Sequence, residues 1–257
     1  MPLLAADIGN SHTIMGLLVD GEVIADWRVA TDERRTADDW LVLLRGLLED
    51  RLDDVDGLVV CATVPAALHE WREMLARHFG DVPHVVVEPG VRTGMAMQMD
   101  NPREVGTDRI ANALAASRKH GGPAVVVDFG GTATTFDVIS ADGQYVGGAI
   151  APGMLVSLEG LGRRGAQLRK VELLRPRSVI ARNTVEAVQS AMTFGVAAQV
   201  EGMVARMIDE LRVPADDVEV IATGYLADVV VDECRCFTVR DRWLTLNGLE
   251  MIFERNS

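Results

Sequence analysis

Asp7-Ile8-Gly9-Asn10-Ser11-His12-Thr13 stands between two apolar runs, Leu3-Leu4-Ala5-Ala6 and Ile14-Met15-Gly16-Leu17-Leu18-Val19. The pattern predicts a strand, a tight polar turn and a second strand. Gly9 and Asn10 both tolerate positive φ, so the turn can be sharp. Ser11 and Thr13 bring hydroxyls, and the turn exposes backbone N–H groups. Such a loop can hold a phosphate, with Asp7 holding a metal ion on that phosphate. An ordinary hairpin turn would use the same residues.

A second copy tips the balance. Asp128-Phe129-Gly130-Gly131-Thr132-Ala133-Thr134 follows the apolar run Ala124-Val125-Val126-Val127 at an offset of 121 residues, Asp7 to Asp128. In this register Gly9 meets Gly130, Ser11 meets Thr132 and Thr13 meets Thr134. Both copies continue into an apolar strand and a turn, at Asp20-Gly21 and Asp142-Gly143. The chain thus carries an internal repeat of a strand–loop–strand unit. Two such units facing each other across a cleft would grip the two ends of a triphosphate.

The 257 residues, 48% of them hydrophobic, are enough for two domains with real cores. The repeat places the boundary near the middle, with domains 1–115 and 116–257. A net charge of −13 argues against nucleic acid and anionic membrane as partners, and leaves anionic small molecules open. Cys61, Cys234 and Cys236 form neither a metal-ligand set nor a disulfide scaffold. No stretch is long and apolar enough to span a bilayer, and the N-terminus leads straight into the Asp7 loop without a secretory pattern. A reducing cytoplasm is the expected location.

Along the chain, the first half reads β-β-β-α-β-α-β. Thr36 and Asp39 have capping-box spacing ahead of a helix with Trp40, Leu44 and Leu48 on one face. A polar segment, Asn101 to Arg109, leads into a bridging helix. The second half repeats the strand order near 124–129, 134–139 and 144–150. A long helical stretch runs from about Thr184 to Leu211; its apolar content suggests that part of it packs on another subunit, with core packing the default for any single methionine in it. Val218 to Ala222 reads as a strand ending at Thr223-Gly224, and Leu244 to Phe253 as a final helix.

The two Asp-x-Gly loops, each ending a first strand, resemble the phosphate loops of the actin-like and sugar-kinase ATPase superfamily. Thr223-Gly224 resembles that superfamily's adenosine motif. The resemblance implies a duplicated ribonuclease H-like α/β fold. More specific is Asn101-Pro102-Arg103-Glu104-Val105-Gly106-Thr107-Asp108-Arg109-Ile110-Ala111-Asn112, which resembles the signature of type III pantothenate kinases. Gly147 to Gly153, Asn183 to Ser190 and Leu244 to Leu249 look like further family segments in the family's order.

That resemblance implies transfer of the γ-phosphoryl group of ATP to pantothenate, the first step toward coenzyme A. Carried over by position, Asp7, Ile8, Gly9, Asn10, Ser11, His12, Thr13 and Ile14 would bind ATP phosphates with magnesium, and Thr132 would contact ATP from the second loop. Asp108 would be the base that accepts the hydroxyl proton. With Arg109 beside it, the carboxylate is expected to stay ionised; as a helix N-cap it would serve equally well. Met99, Gly106, Thr107, Arg109 and Thr184 would line the pantothenate site. Arg109 suits the substrate carboxylate, or a surface ion pair. Thr184 would bind substrate or cap the long helix. His12 would touch phosphate or sit solvated in the turn. Asp128 resembles the residue holding a monovalent cation, potassium or ammonium, with a place near magnesium as its alternative role. A homodimer is implied.

Four positions depart from the family pattern. Gly130-Gly131-Thr132 replaces a single glycine before threonine, Met99 stands where many members carry tyrosine, Thr107 replaces alanine, and Tyr225 follows Thr223-Gly224 where a second glycine is common. These departures motivate two rivals, a superfamily kinase with another acceptor and a non-catalytic nucleotide-binding homologue.

Overall fold

The computed structural model describes residues 1–88, 90–164 and 171–257. The chain forms two units. The first comprises Met1–Ala96, Asp100–Ala115 and Trp243–Ser257, and the second Met97–Met99 and Ala116–Arg242. A single cut at 115/116 therefore misplaces the last helix, which packs in the first unit.

The first unit is built on strands β1 (Leu3–Ile8), β2 (His12–Val19), β3 (Glu22–Ala30), β4 (Gly57–Ala62) and β5 (His84–Val87) in the order β3-β2-β1-β4-β5. Its helices are α1 (Ala37–Leu48), α2 (Pro65–His78) and the start of α3 (Thr107–Lys119). Strands β1, β2 and β3 form an antiparallel meander, and β4 and β5 add in parallel beside β1. The second unit has β6 (Ala124–Phe129), β7 (Ala133–Ile139), β8 (Tyr145–Pro152), β9 (Glu219–Thr223) and β10 (Val239–Arg240) in the equivalent order, β8-β7-β6-β9-β10. Its helices are α4 (Met154–Arg164), α5 (Thr184–Ser190) and α6 (Val196–Leu211). Helix α7 (Leu244–Asn256) ends the chain.

The duplication holds residue by residue. Ile8 pairs with Thr13 to close the first loop, and Phe129 with Thr134 to close the second. The bulge between Leu17 and Leu18 recurs between Val138 and Ile139 at the same 121-residue offset. Gly131 is therefore no insertion, because the two closing pairs enclose loops of equal length.

Side chains alternate across β1. Leu4, Ala6 and Ile8 enter the core shared with Trp40 and Leu44 of α1 and Trp71 and Met74 of α2. Leu3 and Ala5 enter a second core with Ala111 and Leu114 of α3 and Leu246, Leu249, Ile252 and Phe253 of α7. Asp7 shares the parity of Leu3 and Ala5, so it lies on the face that carries α3. Thr36 caps α1 in a full capping box with Asp39, as its spacing predicts.

The long helical stretch is continuous but changes pitch. A five-residue π segment, Ala191–Gly195, separates α5 from α6. Most of its apolar residues serve the unit's own core: Val200 and Val204 are buried in it and Val196, Met203, Met207 and Leu211 pack against it, while Met192 is buried and Val185 is exposed. Outside the stretch, large apolar side chains are exposed at Met1, Ile24, Val42, Ile150, Val156, Leu161, Leu174, Val179 and Ile180.

Candidate active site

The first loop is tight without using positive φ. Neither Gly9 nor Asn10 adopts it among the described residues. Gly9 N–H instead donates to the His12 carbonyl at 3.0 Å, and a Cβ on Gly9 would lie 3.1 Å from that oxygen. Thr31 buttresses the loop from β3's end. Its hydroxyl donates to the Gly9 carbonyl at 2.7 Å and lies 2.9 Å from the Thr13 hydroxyl, while its N–H donates to Ser11 O. Thr13 is buried with its hydroxyl engaged there. Ile8 is buried in the core, Asn10 is exposed, and Asp7, Ser11, His12 and Ile14 are half-buried. His12 is the first residue of β2, not a solvated turn residue, and burial followed by the charge of Arg28 lowers its pKa.

Strand pairing sets Asp7 opposite Cys61 on β4. The fully buried Cys61 thiol donates to Asp7 Oδ1 at 3.3 Å. Burial, and then the charges of Asp7 and Asp108, push this thiol well up, so it is a neutral donor and not a nucleophile. Thr107 approaches the same sulfur, and its Oγ1 is buried without a full hydrogen bond. Asp7, Cys61, Thr107 and Asp108 therefore form one cluster, brought together by β1, β4 and the first turn of α3.

Asp108 is the second residue of α3, inside the helix and not its N-cap. A Cβ on Gly106 would collide with Asp108 Oδ1, so glycine there makes room for the carboxylate. Oδ1 is out of solvent and has no hydrogen-bond partner. Burial raises the pKa of Asp108; the Arg109 N–H, its own N–H and the Arg109 charge oppose that rise without cancelling it. Arg109 does favour the ionised carboxylate, as its place in the sequence suggests, but desolvation outweighs it and sets the direction of the shift. Gly106 and Arg109 are half-buried.

The second loop lies in the second unit. Asp128 pairs with Thr223 on β9, the counterpart of Cys61, and Thr223 Oγ1 is buried without a partner. The carboxylate sits where two glycines leave space: a Cβ on Gly130 would lie 3.7 Å from Oδ1, and one on Gly224 would collide with it. Gly131 and Gly224 have φ of +89° and +90°. Gly153 N–H donates to the Thr132 carbonyl at 2.9 Å, and Gly153's missing side chain leaves room for Gly131's backbone. Thr132 is half-buried. A carboxylate beside an unpartnered hydroxyl offers oxygen donors suited to a hard cation. Among the described residues no three His, Cys, Asp or Glu side chains converge, so a cation here would need phosphate or backbone oxygens as well.

Two further predicted site residues, Met99 and Thr184, belong to the second unit. Met99 is half-buried in the second unit, where a Cβ on Gly147 would lie 3.9 Å from its sulfur, and the neighbouring Gln98 N–H donates to Tyr145 O. Thr184 is exposed at the start of α5, and the cap there is Asn183, whose side chain accepts from Glu186 N–H at 2.9 Å. Sequence reading missed Thr31, Cys61 and Gly153. Only strand register brings Cys61 to Asp7, although a cysteine ending an apolar strand is a visible clue.

The duplicated α/β fold with its paired Asp-x-Gly loops is the fold of the actin-like and sugar-kinase proteins. Solved structures share this fold. An activator of 2-hydroxyisocaproyl-CoA dehydratase from Clostridium difficile with bound ADPNP superposes with TM-score 0.58 at 11% identity, covering 100% of this chain and 96% of that one. A putative N-acetylmannosamine kinase from Listeria monocytogenes gives TM-score 0.52 at 16% identity, with 99% of each chain covered. Residues 3–206 match the family profile described as type III pantothenate kinase. Type III pantothenate kinases from a Nocardioides species and from Thermobifida fusca are 76% and 58% identical, covering 100% and 99% of this chain and 100% of each relative. The chain belongs to the type III pantothenate kinase family and is a phosphotransferase.

Proposed function

We propose that this chain transfers the γ-phosphoryl group of ATP to the primary hydroxyl of pantothenate, giving 4'-phosphopantothenate for coenzyme A synthesis. The supporting observation is Asp108 Oδ1, a buried acceptor with no donor, next to the Asp7–Cys61 pair. Such an oxygen is a natural seat for a substrate hydroxyl. In this reading Asp108 takes the hydroxyl proton as the oxygen attacks the γ-phosphorus. The bond to the β–γ bridging oxygen breaks, and that oxygen leaves with ADP.

The first loop, Asp7 to Ile14, would hold phosphates through its backbone and Ser11, with Thr132 doing so in the second loop. Asp7 would hold magnesium, which when bound neutralises charge on the phosphates. Asp128 would hold potassium or ammonium. Arg109 would pair with the pantothenate carboxylate, with Gly106, Thr107 and Met99 shaping that pocket. The exposed apolar residues between 150 and 185 support a homodimer, in which Thr184 would be supplied to the other subunit's site. No described helix is long and apolar enough to cross a membrane; a cytoplasmic enzyme acting on two soluble substrates fits this reading.

The test is phosphopantothenate formation by purified protein with ATP, magnesium and potassium, read by mass spectrometry. Absence of product, with ATP binding retained in calorimetry, would turn the reading to a nucleotide-binding homologue. Asp108 must be ionised to accept a proton, and burial raises its pKa. The acid limb of kcat against pH is therefore expected above the ordinary carboxylate range, with turnover falling as pH drops through it. A limb at the pKa of a free aspartate would contradict this. Replacing potassium by sodium at constant ionic strength is expected to lower the rate, and Asp128→Ala to abolish the difference between the two cations.

A further inference from the structure

We infer that Tyr225 is a positioning residue of the nucleotide site, matched to Gly131. The inference rests on the reading that ATP binds at the second loop, and assigns a task to two residues which that reading leaves idle. In sequence, Gly131 and Tyr225 are unrelated departures from the family pattern. In the fold they meet.

Strand register explains why. Strands β6 and β9 are parallel neighbours with Asp128 opposite Thr223, so the loops that follow them leave the same edge of the sheet. One loop carries Gly130-Gly131-Thr132 and the other Gly224-Tyr225. Gly131 has φ +89°, and a Cβ there would land on the Tyr225 hydroxyl, with Cζ only 2.9 Å and Cε1 3.3 Å away. These are atoms at the tip of the ring, so the phenol reaches across to the loop. The Gly131 carbonyl in turn fills the space left by Gly153's missing side chain, and Gly153 N–H holds the Thr132 carbonyl at 2.9 Å. The loop is thus held by a backbone contact from Gly153 and an aromatic contact from Tyr225.

Two adjacent glycines give a loop the greatest backbone freedom, and binding must remove that freedom. A ring that already fixes Gly131 lowers this cost before ATP arrives. Tyr225 therefore acts on ATP affinity by pre-organising Thr132 and the loop N–H groups, and has no part in proton transfer. It also explains the pairing of departures. A glycine at 225 would leave the double-glycine loop unbraced, and a side chain at 131 would have no room beside the tyrosine.

Magnesium-ATP binding is measured by calorimetry for wild type, Tyr225→Phe, Tyr225→Leu, Tyr225→Ala, Gly131→Ala and the Gly131→Ala/Tyr225→Ala double variant, with steady-state kinetics in parallel. Tyr225→Ala is expected to weaken ATP binding about tenfold, the equivalent of one loop segment to be ordered on binding. It should raise the ATP KM more than it lowers kcat. Tyr225→Leu is expected to follow Tyr225→Ala, and Tyr225→Phe, which keeps the ring, to retain most of the affinity. Gly131→Ala should harm ATP binding more in the wild-type background than beside Tyr225→Ala, because the phenol supplies the collision. Equal effects of Gly131→Ala in both backgrounds, or unchanged ATP affinity in Tyr225→Ala, would overturn the pairing while leaving ATP at the second loop. A wild-type protein that binds no ATP would overturn both.

Discussion

Replacing Asp108 by asparagine is expected to slow phosphoryl transfer by roughly 10²–10⁴-fold, the usual worth of a positioned general base. Asparagine keeps the volume and one acceptor oxygen, so the room beside Gly106 stays filled. It cannot take a proton. ATP binding should persist, because Asp7, Gly9 and Thr31 are untouched. Stability should hold or rise. Burial raises the pKa of Asp108, so the folded protein binds this proton more tightly than the unfolded chain. The ionised carboxylate thus costs the fold stability at pH above its folded pKa, and the cost fades as pH falls through that value. Asparagine removes the cost at neutral pH. A lower kcat with an equal or higher Tm would mark Asp108 as a group kept for chemistry at the expense of stability. Near-normal kcat would reduce it to a structural member of α3's first turn, and another group would have to receive the proton.

The architecture was legible because duplication writes itself into sequence. Asp7 and Asp128, with the apolar runs before and after them, gave the 121-residue offset, and the strand pairs and bulges follow that offset. Period-2 and period-3.6 patterns are local, and so is the Thr36–Asp39 cap. Contacts between distant segments were not legible. Cys61 meets Asp7 only through β1–β4 register, and Gly131 meets Tyr225 only through β6–β9 register. The burial of Asp108 was not legible for the same reason. Arg109 is visible beside it in sequence, whereas the burial that outweighs Arg109 is made by the fold. The long apolar helix is a case where sequence alone leaves core packing and subunit packing undivided. Most of its methionines and valines fill their own unit's core, and the exposed apolar side chains lie mainly before it. The last helix was placed in the wrong half because sequence order does not show that Phe253 fills the space beside Gly57.

Gly248→Ala is expected to be among the most damaging single-methyl changes in the first unit. Gly248 lies on α7 and faces α3. A Cβ there would strike the Ala111 carbonyl oxygen and lie 2.5 Å from its carbon and 2.8 Å from Ala111 Cα. All three are backbone atoms, so no side chain can rotate away and one helix must move. Overpacking of this kind typically costs about 1–3 kcal/mol, occasionally more. For a protein of this size that corresponds to a fall in Tm of several degrees, at about 2–4 °C per kcal/mol. The effect should also reach the chemistry. Ala111 is one helical turn from Asp108, and a shift of α3 by about 1 Å can cost on the order of 10² in rate when it moves a reacting group. Gly46 supplies the control. It too lies inside a helix, α1, but nothing stands within 4 Å of its Cβ position. Gly46→Ala should therefore gain up to about 1 kcal/mol from helix propensity alone, with no change in kcat. Thermal unfolding and kcat of the two variants, measured side by side, separate helix-to-helix contact from propensity. If Gly248→Ala unfolded and turned over like wild type, α7 would not be pressing on the helix that carries Asp108.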